Sequence, residues 1–591
     1  METDFAASCG VLNPPLRGIV QLTNSAALRF RNWSFNNNLL SQEVMKMWNK
    51  NWRDDLWSKI DQPWDIVIIG GGITGAGILK EARKLGLKVL LVEQRDFSWG
   101  TSSRSSKLVH GGLRYLKDGN IMLTWESVRE RKRLLAEGPG LIEPLGFLIA
   151  NYKGDQPGRL VYRAGLVIYD LLATQWSHKA YTATEFQMLA PHIRQNGLEG
   201  GLCFGDAQTN DARLVLRVIR EAVADGAQAI NYVRAETLIR GNQKNDGKGA
   251  SLSGVRLYDT YRNRRADIRA RVIINATGAW ADELRGQVGA KPRMRLLRGS
   301  HLVVPAWRLP VAQSVSFLHP LDRRPVFIFP WEGITLIGTT DTDHRHSISD
   351  EPSISPDEVA YLMAAAEAQF PSINLTLNDI ISTFSGIRPV IGTGKADPSK
   401  EARDHVVWEE EGLLTVTGGK MTTFRLIALD VLKAVRHRIP QMPEPNRSMP
   451  VLNQMEMDIH YNKNGRLNAA ILRRLAGCYG SDARALIDAA QPEELEEIPC
   501  TGTLWAELRW AARDEGIVHL EDLMLRRTRL GLTVMEGGKA LLPAIRSICQ
   551  TELGWDNAHW EEEEQSYLSL WQRCYNLPEE TIPDWRTKLK K

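Results

Sequence analysis

The chain has 591 residues, of which 43% are apolar and 24% charged. A single hydrophobic core stops growing near ~250–300 residues, so two or three domains are expected, and the composition excludes an extensively disordered, collagen-like or disulfide-scaffold chain. Seventy-four Lys and Arg against 70 Asp and Glu leave a formal charge of +4, which excludes a chain-wide basic surface for nucleic acid.

Residues 1–44 stand apart. From Phe5 to Gln42 there is no acidic residue, and Arg17, Arg29 and Arg31 are the only charges. This reads as a disordered tail or a start assigned too early, with Met45 or Met47 the true start; an organelle leader has the same character. Met45, Trp48, Trp52, Leu56 and Ile60 then recur at helical spacing, with Lys50, Arg53 and Asp54 away from that face. An amphipathic helix over 45–63 is expected, lying on the body of the protein or at a membrane interface.

Trp64–Ile69 reads as a buried strand, Ile73–Leu85 as a helix and Leu87–Val92 as a second strand. This β-α-β unit implies a parallel sheet. A further strand, Arg271–Asn275, runs into Ala276-Thr277-Gly278 some 200 residues later. Between about 140 and 400, short strand-like runs such as Val326–Phe329 and Ile334–Ile337 point to a largely antiparallel region interleaved with the first. Past a Pro-containing stretch at Met442–Asn446, helical spacing dominates, as at Leu467, Ile471 and Leu475. The fold class is therefore mixed α/β and α+β, with boundaries at 64–440 for the interleaved body and 445–580 for an all-α C-terminal domain. Cys9, Cys203, Cys478, Cys500, Cys549 and Cys574 form no CxxC pair, which fits a reducing compartment. No apolar run is long enough to span a bilayer.

Gly70-x-Gly72-x-x-Gly75 joins the first strand to the helix, and Glu93 ends the next strand. Gly70 permits the tight turn, Gly72 admits a pyrophosphate to the backbone, and Gly75 lets the helix pack closely. The helix N-terminus faces the phosphates and Glu93 accepts from ribose hydroxyls. This predicts a dinucleotide site. Its split domain favours FAD over NAD, and an acid at the ribose disfavours NADP.

The run Thr101-Ser102-Ser103-Arg104-Ser105-Ser106-Lys107-Leu108-Val109-His110-Gly111-Gly112-Leu113-Arg114-Tyr115-Leu116 resembles the segment after the second strand in FAD-dependent glycerol-3-phosphate dehydrogenases of the aerobic, bacterial type. Matches follow in family order: Asp211–Leu214, Asn275–Trp280, Arg298–His301, Ile337–Asp341, Ser385–Pro389, Gly418–Arg425 and Glu521–Gly531. The resemblance covers roughly residues 62 to 575. It implies an FAD-binding Rossmann-like domain interleaved with a substrate domain of the D-amino-acid-oxidase type. It also implies oxidation of sn-glycerol 3-phosphate to dihydroxyacetone phosphate, with electrons passed to a membrane quinone. The chain carries no EF-hand run of the mitochondrial type.

The resemblance also implies residue roles. Arg114, Tyr115 and Arg388 face substrate, and the arginine forks suit its phosphate. His301 is the candidate proton acceptor, with an Arg or a water as the competitor. His110 is given a structural or flavin-side role. Lys420 is assigned to substrate or flavin, and with His301 and Arg388 to catalysis; a cation there favours reduced flavin. Thr101, Ser102, Ser103, Ser106, Lys107, Gly278 and Thr422 join Gly70, Gly72, Gly75 and Glu93 as cofactor residues. No metal is expected, the polar run His344-Arg345-His346 reading as a hydrated turn. The implied partners are glycerol 3-phosphate, a quinone or membrane surface, and a homodimer partner, without nucleic acid. The implied location is cytoplasmic and peripherally membrane-associated, through the Trp helix or the basic end Lys588–Lys591. Alternatives are an oxidase using oxygen, an amino-acid oxidase, and a non-enzymatic role with structural FAD.

Overall fold

Strand Trp64–Ile69 pairs in parallel with Val89–Val92 on one side and Arg264–Asn275 on the other. Leu413–Thr417 extends this parallel set beyond Arg264–Asn275, and Gln228–Ile230 extends it beyond Val89–Val92. Ile66, Val67 and Ile68 are fully buried, so both faces of the first strand are covered. That is why its sequence is an unbroken apolar run rather than an alternation. The computed structural model describes residues 48, 51–117, 119–156, 158–174, 176–241, 252–392, 404–455, 457 and 465–589. The expected tail 1–44, Met45, Met47, Lys50 and the terminal Lys590-Lys591 lie outside them.

The chain leaves this sheet after Val92 and returns to it at Gln228, Arg264 and Leu413. The intervening segments build a second, ten-stranded sheet. Met294–Pro305 lies between Ile334–Gly338 and Ser382–Ile391. The order continues through Pro325–Trp331 and Ser314–Leu318 to Ile142–Tyr152, Leu198–Thr209 and Leu108–Val109. Its described pairings are antiparallel except Ser314–Ser316 with Phe147–Ile149. The interleaving thus sets the ends of the parallel strands against an antiparallel platform.

Helices Ala469–Tyr479, Trp505–Asp514, Leu542–Leu553 and Asn557–Cys574 dominate the C-terminal part. Their apolar faces are not self-contained. Leu508, Leu520, Ile545 and Trp560 share a core with Phe329, Trp331 and Phe384 of the antiparallel sheet.

The helix expected over 45–63 is described as Trp52–Trp57, six residues long. Trp48 is 4% exposed and stacks on Phe97 with centroids 5.3 Å apart, while Leu56 and Ile60 are buried. Arg53 departs from the expectation of an outward side chain. It is buried, donates to Asn231 O at 2.9 Å and Asn231 Oδ1 at 2.6 Å, and pairs with Asp259. The apolar face thus packs on the protein while Asp54, Asp55, Ser58 and Lys59 stay exposed, so that face is not free for a membrane interface. No described helix is long and apolar enough to cross a membrane.

Candidate active site

The glycine turn is set by close backbone approach. Gly70 has φ +118°, and a Cβ there would lie 2.5 Å from the Ala276 carbonyl oxygen. A Cβ on Gly75 would lie 1.9 Å from the Gly70 carbonyl oxygen, so the helix can rest on the turn only as glycine. Gly72 caps helix Ile73–Lys84, and the Ile73 N–H donates to Ser102 Oγ at 2.9 Å. Glu93 Oε2 accepts from Gly71 N at 2.7 Å and Oε1 from Arg95 N at 2.9 Å. Burial raises the Glu93 carboxyl above the ordinary carboxylate value, and these two donors offset part of that shift. Gly278 has φ +60°, and a Cβ there would meet no atom within 4 Å. Gly70, Gly72, Glu93, Ser102 and Gly278 line one cavity of about 1670 Å³. An N-terminal helix end, a carboxylate and side-chain-free backbone along one wall fit the pyrophosphate and ribose of a dinucleotide.

The same cavity continues over the antiparallel sheet, where Ser106, His110, Tyr115, Arg388, Lys420 and Thr422 line it. Arg388 stands on strand Ser382–Ile391 and donates to Thr339 Oγ1 at 2.9 Å and to Asp341 Oδ1 at 3.3 Å. Thr101 Oγ1 donates to Ile387 O, tying the cofactor loop to that strand. Lys420 Nζ lies 3.8 Å from the centre of the Tyr115 ring and donates to Ser127 Oγ at 2.8 Å. Thr422 Oγ1 accepts from His110 N at 3.1 Å and donates to His110 O at 3.2 Å, joining two cavity-lining loops. Arg114 lies on helix Leu113–Lys117, but its side chain is outside the described residues.

Three expected site residues stand elsewhere. Lys107 is fully buried; its Nζ donates to Asp211 and to Ser103 O and sits over the Phe384 and Trp331 rings. Burial and the neighbouring Arg529 push this amine down to about 7, against the pull of Asp211. Ser103 is buried with it, its carbonyl also accepting from Arg529 at 2.7 Å. Both are internal struts of the loop rather than cavity residues, because a buried acid drew the lysine inward. His301 is 1% exposed, and the cavity wall in front of it is Ser106, whose Oγ lies 3.0 Å from His301 Nε2. His301, expected to face substrate, therefore does not line the cavity itself; Ser106 does.

Several supports were not found from sequence. Ser127 holds Lys420, and Asp206 accepts the Gly111 N–H at 2.9 Å beneath the His110–Gly112 turn. Arg131 and Tyr169 hold Asp206 in turn. None carries a local signal, since each acts through a tertiary partner. Asp341 and Thr339 did sit in a run shared with the family. No cluster of metal-ligating groups occurs among the described residues.

A glycine-cradled nucleotide end and a cation-bearing end within one cavity define a dinucleotide-dependent oxidoreductase. Residues 65–427 match the FAD dependent oxidoreductase family, and residues 448–560 match the C-terminal domain of alpha-glycerophosphate oxidase. The chain belongs to the FAD dependent oxidoreductase family, and its cofactor is FAD. It is 34% identical over 502 residues to the aerobic glycerol-3-phosphate dehydrogenase of Staphylococcus aureus, covering 81% of this chain and 88% of the relative. Among solved structures, the glycerol-3-phosphate dehydrogenase of Bacillus halodurans complexed with FAD superimposes with a TM-score of 0.72 at 28% identity. That match covers 89% of this chain and 98% of the other. The L-alpha-glycerophosphate oxidase of Mycoplasma pneumoniae, with FAD bound, shares the fold with a TM-score of 0.51 at 19% identity, covering 67% of this chain and all of the other.

Proposed function

We propose that the protein oxidises sn-glycerol 3-phosphate to dihydroxyacetone phosphate and delivers the electrons to a membrane quinone. The observation that carries the substrate is that a guanidinium, Arg388, and an ammonium, Lys420, line the same cavity. Two cations answer the two charges of a phosphate monoester better than a single carboxylate. The relatives that carry glycerol 3-phosphate in their names support the same choice.

Bound FAD supplies the hydride acceptor for C2. The chain's own groups orient the reaction. Thr339 and Asp341 hold the Arg388 guanidinium in the cavity wall, and the Tyr115 ring and Ser127 hold the Lys420 ammonium. Fixed cations stabilise charge as it develops, without reorganising at the moment of reaction. The cavity wall holds Phe147, Ile149, Phe204 and Phe327, apolar groups that keep water from the reacting carbon.

An exposed apolar face supports a membrane acceptor. Ile121, Met122 and Trp125 on helix Ile121–Glu137 are exposed, as are Leu160, Val161, Ile168 and Leu171 on helix Arg159–Ala173. The two helices adjoin, since Arg131 of one donates to Tyr169 of the other at 2.9 Å. Val161 and Ile168 also line the cavity, so the apolar face borders its mouth. A bilayer surface would cover this face and bring a quinone to the flavin, giving a peripheral cytoplasmic enzyme.

Anaerobic addition of glycerol 3-phosphate to the holoenzyme is expected to bleach the flavin absorbance, and a soluble quinone to restore it faster than oxygen. No bleaching would remove the substrate. Rapid reoxidation by oxygen with none by quinone would make the protein an oxidase.

A further inference from the structure

We infer that His301 serves the reaction through Ser106, holding that hydroxyl as a hydrogen-bond donor into the cavity, rather than by taking a proton itself. The inference rests on the reading that glycerol 3-phosphate is oxidised here.

The His301 ring is pinned. It stacks on Phe384 at 4.5 Å between centroids and 7° between planes. On its edge lies Gly338, where an added Cβ would stand 2.1 Å from His301 Cδ2. The ring therefore has no room to swing toward the cavity. Its Nε2 meets Ser106 Oγ, while its Nδ1 is buried with no hydrogen-bond partner among the described residues.

Those two facts rank the protonation forms. The imidazolium would bury a charge together with an unpaired N–H. Burial, with Arg388 and Lys107 nearby, also holds the ring well below its ordinary value of 6.5. The neutral form protonated on Nδ1 would bury an unpaired donor. The form protonated on Nε2 leaves only a bare ring nitrogen unpaired. Buried unpaired N–H groups are rarer than under-satisfied acceptors, so the Nε2–H form wins. Nε2 then donates to Ser106 Oγ, and the Ser106 proton must turn to another acceptor.

Ser106 and Arg388 line the same cavity, and Ser106 makes no other hydrogen bond among the described residues. Its hydroxyl is thus directed at an oxygen that carries partial negative charge. Two groups present that chemistry in the loaded enzyme: the C2 oxygen of the substrate as it becomes a carbonyl, and a carbonyl of the flavin ring. In this arrangement His301 is a positioning residue and Ser106 the group that touches the reactants.

The test uses FAD-loaded Ser106→Ala, His301→Phe, the double variant and His301→Gln. Removing the one hydrogen bond is expected to lower kcat/KM by on the order of tenfold in each of the first two. The double variant should be no worse than the poorer single, because both remove one interaction. His301→Gln, which retains a side-chain N–H, should recover part of the loss. The pH profile of kcat/KM should keep the same limbs in His301→Phe. Binding of dihydroxyacetone phosphate, read from the flavin spectrum, and the flavin midpoint potential distinguish the acceptors. Weaker binding at an unchanged potential points to the substrate oxygen, and a lowered potential at unchanged binding points to the flavin. Multiplying losses, the disappearance of a pH limb on removing His301, or a Gln variant no better than Phe would overturn the inference. If His301→Phe loses its flavin, Ser106→Ala, His301→Gln and their pH profiles decide alone. A wild-type flavin that glycerol 3-phosphate does not bleach counts against the functional reading instead.

Discussion

Arg527 closes a two-point ion pair on Asp96 across 431 positions of sequence, with Nη2 to Oδ1 at 2.9 Å. Both side chains are fully buried. Asp96 also accepts from Arg526 Nε at 2.6 Å and from Asn231 Nδ2 at 3.0 Å. Asp96 follows Glu93 by three residues, so this cluster locks the ribose end of the cofactor site to the C-terminal helical region. Removing one partner of a buried pair strands the other. Asp96→Asn is therefore expected to lower stability by about 3–5 kcal/mol in denaturant unfolding of the holoenzyme. A change under about 1 kcal/mol would show the pair to be dispensable.

The same carboxylate sets an acid limit. Burial alone would raise Asp96, but Arg527 and Arg526 overcome it and hold the group down to about 2. Its folded value is depressed, so its stabilisation is complete above the unfolded value of ~3.9 and is lost as pH falls toward the folded one. Wild-type stability should fall between about pH 4 and 2, more steeply than that of Asp96→Asn. Parallel acid-unfolding curves for the two proteins would refute this.

Gly75→Ala tests the glycine turn. The added methyl would overlap the Gly70 carbonyl oxygen, which is backbone and cannot yield without moving the first strand. The variant is expected to purify with little flavin, measured as visible absorbance per protein. Gly286→Ala, where the methyl meets nothing within 4 Å, should keep its full complement.

Legibility in the sequence followed locality. The glycine turn and Glu93 are contiguous signals, and the long ordered runs from Thr101 to Arg425 carried the interleaved fold. Buried charges were the failures. Arg53 and Lys107 owe their burial to Asp259 and Asp211, 206 and 104 positions away. Helical spacing gives a charge to solvent by default, and it cannot see a distant acid. His301 failed differently. Its motif points to the substrate, yet alternation along strand Met294–Pro305 does not reveal that Ser106, not His301, lines the cavity. Ser127 and Asp206, polar groups on an amphipathic helix and a mixed strand, have no sequence signature at all.

Arg388→Lys probes the phosphate clamp. Arg388 reaches Thr339 and Asp341 through separate nitrogens, and a lysine offers one point charge in place of that fork. The expected result is a rise of about tenfold or more in KM for glycerol 3-phosphate, with flavin content unchanged. An unchanged KM would remove Arg388 from the phosphate site.

The apolar face on helix Arg159–Ala173 gives the last test. Leu160 is 80% exposed and Leu171 65%, values that water does not favour for two leucines on one helix. Each buried leucine contributes about 1.5–3 kcal/mol on leaving water, so two acting together dominate a weak surface attachment. Leu160→Asp/Leu171→Asp should leave the flavin and its anaerobic reduction by glycerol 3-phosphate intact, because neither residue lines the cavity. The same protein should fail to float with vesicles of anionic phospholipid and should lose turnover with a membrane-embedded quinone while keeping it with a soluble dye. If the double variant still floats, the bilayer meets another face and the path proposed from Val161 and Ile168 to the cavity is wrong. If it floats poorly yet still reduces the embedded quinone at the wild-type rate, attachment and electron delivery are separate, and the quinone does not enter by this mouth.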